Sequence, residues 1–335
     1  MLHAGMVQRA PEPLTRTQPS RGRRASLIAT AVRRHGLPVW FAAMTAVHLG
    51  TTSTTSEAIG LDARIYYRGA AAWVHGGDPW SAAARMAGGH YHFAGTPSTV
   101  ELLAPFTLIP ETAFVLFAIL ASLIAAIFVL WKLRLSGSWL LFPPIAQALI
   151  SGNPQLVVVA LLLAASPLLQ SVAPMLKIYG VVPLAVEMRW KAVAAVVVLL
   201  IISFAVAPGL WLDYFSRFSA ISERLDAEAA GGFSAWGLPP SAIALVAGAL
   251  LVLFFLHRKA AAWLAVPALW PASQLHYSAF ALPVISPFMA FVLAIPQHGI
   301  PALVVVGLAG WRLAQRVWRV NPAISRRQPK RETQT

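Results

Sequence analysis

The chain has 335 residues, of which 58% are hydrophobic and only 11% are charged, with a mean hydropathy of +0.66. Soluble domains carry about 25% charged residues because their surfaces must be wetted, so this composition excludes a soluble enzyme and calls for a polytopic membrane protein. The net charge of +14 lies mainly in the two tails and in short clusters between apolar runs, as in cytoplasmic loops and tails against anionic lipid; it lacks the interleaved aromatics of a nucleic-acid binder, so no nucleic-acid partner is expected.

In chain order, residues 1–35 are basic and read as a disordered cytoplasmic arm. A first span covers about 37–55, and with no convincing cleavage site it is expected to stay as an anchor. A polar segment, 56–100, follows, then a Pro-broken apolar stretch at 98–110 that suits a half-helix or interfacial piece. A strong span at about 111–131 ends in Trp131, Lys132 and Arg134. Two shorter runs, about 138–151 and 154–169, flank Gly152-Asn153-Pro154. The next run, 172–188, is interrupted by Pro174, Lys177, Gly180 and Pro183 and reads as a re-entrant hairpin with Lys177 near its outer turn. A span at about 192–208 leads to a second polar loop, 209–238. Further runs lie at about 239–256, 260–273, 278–295 and 300–314, before a basic tail at 319–335. The expected fold is all-α: a bundle of about 9–11 membrane helices over residues 36–318, with broken or re-entrant segments and an extracytoplasmic loop after the first span. Segments 56–100 and 209–238 and the turn 274–278 fall on the outer side, and most of the acidic residues lie there. Acids collect in such loops by default; the alternative is that this face carries the chemistry.

Four constellations could do so. In Gly60-Leu-Asp62-Ala-Arg64-Ile-Tyr66-Tyr67-Arg68, helical spacing puts Asp62 and Tyr66 on one face and Arg64 and Arg68 on another. A carboxylate can take a proton from a hydroxyl nucleophile, and two guanidiniums can hold a phosphate. The same spacing suits an ordinary juxtamembrane helix whose Asp pairs with Arg. Gly76-Gly77-Asp78-Pro79-Trp80 reads as a tight turn that Asp78 shapes. Lys177, alone in an apolar run, faces a cavity or an anionic lipid phosphate, or snorkels from a short helix end. His276-Tyr277 could donate hydrogen bonds to phosphate or sugar, or form an interfacial belt; Gly152-Asn153-Pro154-Gln155 reads as a structural turn. His75, His90 and His92 lack helical ligand spacing and read as residues of a flexible loop, and with no cysteine in the chain no metal site is expected.

The order of these pieces resembles glycosyltransferase family 87, polyprenol-phosphate-sugar-dependent, mannosyltransferase-like enzymes of the GT-C superfamily. The resemblance rests on Asp62 with Tyr66, Gly76-Gly77-Asp78-Pro79-Trp80, Ala104-Pro105 through Pro110, Gly152-Asn153, Lys177 and His276-Tyr277, over roughly residues 58–285. It implies a multi-pass plasma-membrane enzyme with an extracytoplasmic site. The enzyme would move mannose or a similar sugar from a polyprenyl-phosphate donor to a cell-envelope glycan or glycolipid, with inversion and no cofactor. Asp62 would be the general base. Arg64, Tyr66, Tyr67, Arg68, Asp78, Lys177, His276 and Tyr277 would bind substrate, the cations supporting the departing phosphate. The competing class is a transporter or flippase of lipid-linked anionic cargo.

Overall fold

The computed structural model describes residues 21–52, 58–86, 89–229 and 232–320; most of the two basic tails, 1–20 and 321–335, lies outside them. The chain divides into two compact units, residues 1–37 and 38–335. The first holds the start of helix α1 (Arg21–Thr52), and everything described below belongs to the second. From Pro38 onward α1 is anchored by Trp40, whose indole donates to the Phe291 carbonyl at 2.8 Å, and by Phe41, buried against Trp139 and Phe142.

Helix α2 (Leu61–Val74) is followed by the turn at Asp78–Trp80 and by a hairpin of β1 (Ala83–Met86) and β2 (Gly89–His92), paired antiparallel with Ala83 opposite His92. His90 and His92 therefore sit on an ordered strand, not in the flexible loop expected from sequence. This hairpin is also the one departure from an all-α chain among the described residues. Leu61, Ile65, Trp80, Ala84, Phe93 and Val100 form its core. The Pro-broken stretch becomes α3 (Pro97–Leu103) and a 3-10 turn, Ala104–Leu108.

Helix α4 (Glu111–Lys132) has 22 residues, and its most apolar 18-residue stretch has a mean hydropathy of 3.0. At 1.5 Å per residue it is about 33 Å long, enough to cross the roughly 30 Å hydrocarbon layer. Leu116, Leu120, Ile124 and Ile127 stay exposed along it, as a lipid-facing flank requires. Next come α5 (Pro143–Ser151) and α6 (Gln155–Leu162), which meet at 116° where Gly152-Asn153-Pro154 breaks the helix. The following run breaks as its prolines and glycine demand: α7 (Pro167–Leu176), extended Lys177, one 3-10 turn, and α8 (Val181–Val186).

Helix α9 (Trp190–Val206) meets α10 (Pro208–Ala229) at 103°. Then come α11 (Pro240–Leu256) and α12 (Arg258–Leu269). The run expected to cross at 278–295 is not one helix. Residues Leu275–Val284 form a buried 3-10 stretch containing Pro283, and α13 (Pro287–Leu293) starts anew, because neither proline can donate the backbone hydrogen bond that would join them. The last helix among the described residues is α14 (Ile300–Val320).

Among the described residues, α4 and Ile300–Trp318 of α14 are each long and apolar enough to cross a membrane, and the two bent pairs raise the count to four if each is one span. The protein is a helical membrane protein.

Candidate functional site

Asp62 stands in the first turn of α2, and its place there is set by two glycines. Gly60 caps the helix with φ at 72° and donates its N–H to the Ile150 carbonyl at 2.7 Å. A Cβ at Gly60 would fall 2.3 Å from Val115 Cγ1, and one at Gly152, whose φ is 67°, would fall 2.9 Å from the Ala63 Cβ. Only glycine in the left-handed conformation lets the α5–α6 turn approach α2 this closely. The approach brings Asn153 Nδ2 to 3.0 Å from Asp62 Oδ2. Asn153 is itself fixed, its Oδ1 accepting from the Gln155 N–H at 2.9 Å and its carbonyl from Ser122 Oγ at 3.1 Å.

Asp62 opens into a cavity of about 630 Å³. Its walls come from α2, β2 and the segment after it, the α5–α6 turn, the break after α7, α10, and the segment Trp270–Tyr277. Lys177 enters from the break, only 8% exposed. Its Nζ lies 5.2, 5.5 and 5.7 Å from the ring centres of Tyr277, Tyr179 and Tyr66, within reach of cation–π attraction. Tyr179 donates to Gln155 Oε1 at 2.6 Å, which ties the break to the same turn that holds Asn153. His276 is 2% exposed, and its backbone N–H donates to Gln147 Oε1 at 2.7 Å. Neither of its ring nitrogens has a hydrogen-bond partner among the described residues. Buried polar atoms are normally paired, so these two nitrogens mark an unanswered polar spot just behind the cavity wall.

Of the residues proposed from sequence, Asp62, Tyr66, Lys177, His276 and Tyr277 converge on this cavity. The remaining four are not among the residues that line it. Arg68 binds Glu111 through Nε and Nη2 at 2.9 and 3.0 Å and gives a third bond to the Ala83 carbonyl. Tyr67 donates to the Ile109 carbonyl at 2.9 Å. Asp78 accepts from its own turn at Trp80 N and pairs with Arg217 at 2.6 Å. Arg64 shares the Arg68 side of α2. The reason is the helix period itself: positions 62 and 66 face the cavity, so positions 64 and 68 cannot.

Helix α2 lies outside the candidate spans. Burial, then the Tyr277 phenol and the Asp62 carboxylate, raise the Tyr66 phenol well above its ordinary value, so it stays a neutral donor. The Arg68 guanidinium is raised by its bond to Glu111. Among the described residues no group of three or more His, Cys, Asp or Glu stands together as a metal site would need.

Sequence reasoning missed Asn153, taken as a structural turn, and the aromatic wall of Tyr179, Tyr214 and Trp270. The Gly152-Asn153 pair was the available signal: an amide just beyond a left-handed glycine is delivered to whatever packs against the turn.

The arrangement can accept a proton at Asp62, support an anion at Lys177, hydrogen-bond at His276 and the tyrosines, and stack a sugar ring on its aromatic walls. Comparisons of the chain with known protein families, curated proteins and solved structures give no match.

Proposed function

We propose that the protein is a multi-pass, GT-C-like glycosyltransferase of the plasma membrane. In this reading it moves a hexose such as mannose from a polyprenyl-phosphate donor to a glycan or glycolipid of the cell envelope, on the extracytoplasmic side. The observation that carries the reading is the convergence of one carboxylate, Asp62, and one buried ammonium, Lys177, on a single aromatic-walled cavity in a membrane protein. Transfer of a sugar from a lipid phosphate needs those two charges, one for each end of the reaction.

Asp62 takes the proton of the acceptor hydroxyl as its oxygen attacks the anomeric carbon. The bond from that carbon to the phosphate oxygen breaks, and polyprenyl phosphate leaves with the electron pair. Direct displacement inverts the anomeric centre. Asn153, donating to Oδ2, holds the carboxylate in place and leaves Oδ1 for the proton. Lys177, with neutral hydrogen bonds from His276 and Tyr66, supports the developing phosphate charge. The donor is substrate, and the reading calls for no cofactor or metal.

The test is purified protein in lipid vesicles with a panel of radiolabelled polyprenyl-phosphate sugars and no nucleotide sugar. Label appearing on an acceptor supports the transferase. Lipid-linked label crossing the bilayer without leaving its lipid supports the carrier reading and overturns this one.

A further inference from the structure

Helix α10 carries three stripes of different chemistry. One faces inward: Leu210 and Ile221 belong to the core beside Trp80 and Phe93, and Tyr214 and Leu225 pack against it. The second is polar and ties the helix to the Asp78–Trp80 turn, with Arg217 Nη1 at 2.6 Å from Asp78 Oδ2 and Arg224 Nη1 donating to the Trp80 carbonyl at 2.6 Å. The third is apolar and uncovered. Leu212, Phe215 and Phe218 follow one another at three-residue spacing and are 62, 57 and 54% exposed.

Single exposed apolar side chains are ordinary, but a contiguous row needs an occupant. This row continues from Ile201, Ile202 and Val206, exposed along the end of α9. The 103° bend between the helices sets α10 nearly perpendicular to α9. A crossing α9 therefore leaves α10 lying along the bilayer surface, its apolar row on the same lipid-facing side. Phe218 and Trp236 both line the cavity and are about half exposed, so the cavity reaches the surface between an apolar row and an indole of the kind that settles at membrane interfaces.

We propose that α10 is an interfacial helix whose Leu212–Phe215–Phe218 row rests in the boundary between lipid headgroups and acyl chains, so that the cavity mouth framed by Phe218 and Trp236 opens onto the bilayer. The seat of α10 depends only on the membrane placement of α9; that a lipid-linked donor enters by this mouth rests on the glycosyltransferase reading.

The chain has no cysteine, so each introduced one is unique. Leu212→Cys and Phe215→Cys report on the apolar row; Arg217→Cys and Ala220→Cys report on the polar side. All four positions are exposed, so the fold tolerates them. Each variant is spin-labelled and reconstituted in vesicles of phosphatidylethanolamine and phosphatidylglycerol, and collision with oxygen is compared with collision with a water-soluble nickel chelate. The expected result is a ratio of oxygen to nickel accessibility several-fold higher at positions 212 and 215 than at 217 and 220. Equal nickel access at all four positions would put the row in water and overturn the proposal. Shielding of 212 and 215 from both reagents would place the row against another protein surface, such as a second copy, and would overturn it too. Neither readout involves sugar transfer, so a failure here is separate from a failure of the transferase reading.

Discussion

Asp62 and Asn153 meet because no side chain stands between α2 and the α5–α6 turn. Gly60→Ala puts a methyl group into Val115 and forces a left-handed alanine, at a cost of about 1–2 kcal/mol from the backbone alone. It should lower the melting temperature in detergent, whereas Gly209→Ala, in open space, should not. Lys177→Met removes the ammonium that answers the leaving phosphate. Losing a group of that kind costs about 10²–10³-fold in kcat, and Lys177→Arg should recover part of it, as measured by initial rates of sugar transfer. Asp62, Tyr66 and Lys177 were legible in the sequence because helical spacing gives a shared face and because a lone lysine in an apolar run is costly to leave without a purpose. The fate of Arg68 was not legible. Spacing along α2 says which residues share its face but not that Glu111, at the start of α4, waits on the other side.

Several elements are short because proline and glycine cut apolar runs that hydropathy alone joins together. The break at Gly152-Asn153-Pro154 and the one at Lys177 could be placed from those residues. The 3-10 path of Leu275–Val284 could not, since it depends on how tightly α5 and α12 close around it. The amphipathic character of α10 was also hidden, because its charged residues made 209–238 read as a loop. Its pairing with the Asp78 turn is partly exposed, at 46 and 28% for the two side chains, and pairs in that setting contribute about 0–1 kcal/mol. Asp78→Asn should therefore leave thermal stability nearly unchanged; a large drop in melting temperature would show that the turn depends on this pair.

In the whole molecule, the turn after α2 and the loop after α4 are expected on opposite sides of the membrane. Ser81→Cys and Ser136→Cys test this, since both positions are exposed and α4 lies between them. An impermeant maleimide should label position 81 in intact cells and position 136 only after the membrane is opened. Labelling of both from one side would contradict the topology. The membrane class was plain from composition, but the number of crossings was not, because broken helices satisfy their backbones inside the protein and need not follow a hydropathy plot.

Activation of the acceptor by Asp62 is read from the rate of sugar transfer from the polyprenyl-phosphate donor in lipid, compared between the parent and Asp62→Asn. Asparagine keeps the shape and cannot take the proton, so transfer should fall about 10²–10⁴-fold with expression and membrane insertion intact. Near-parental transfer by Asp62→Asn would contradict it.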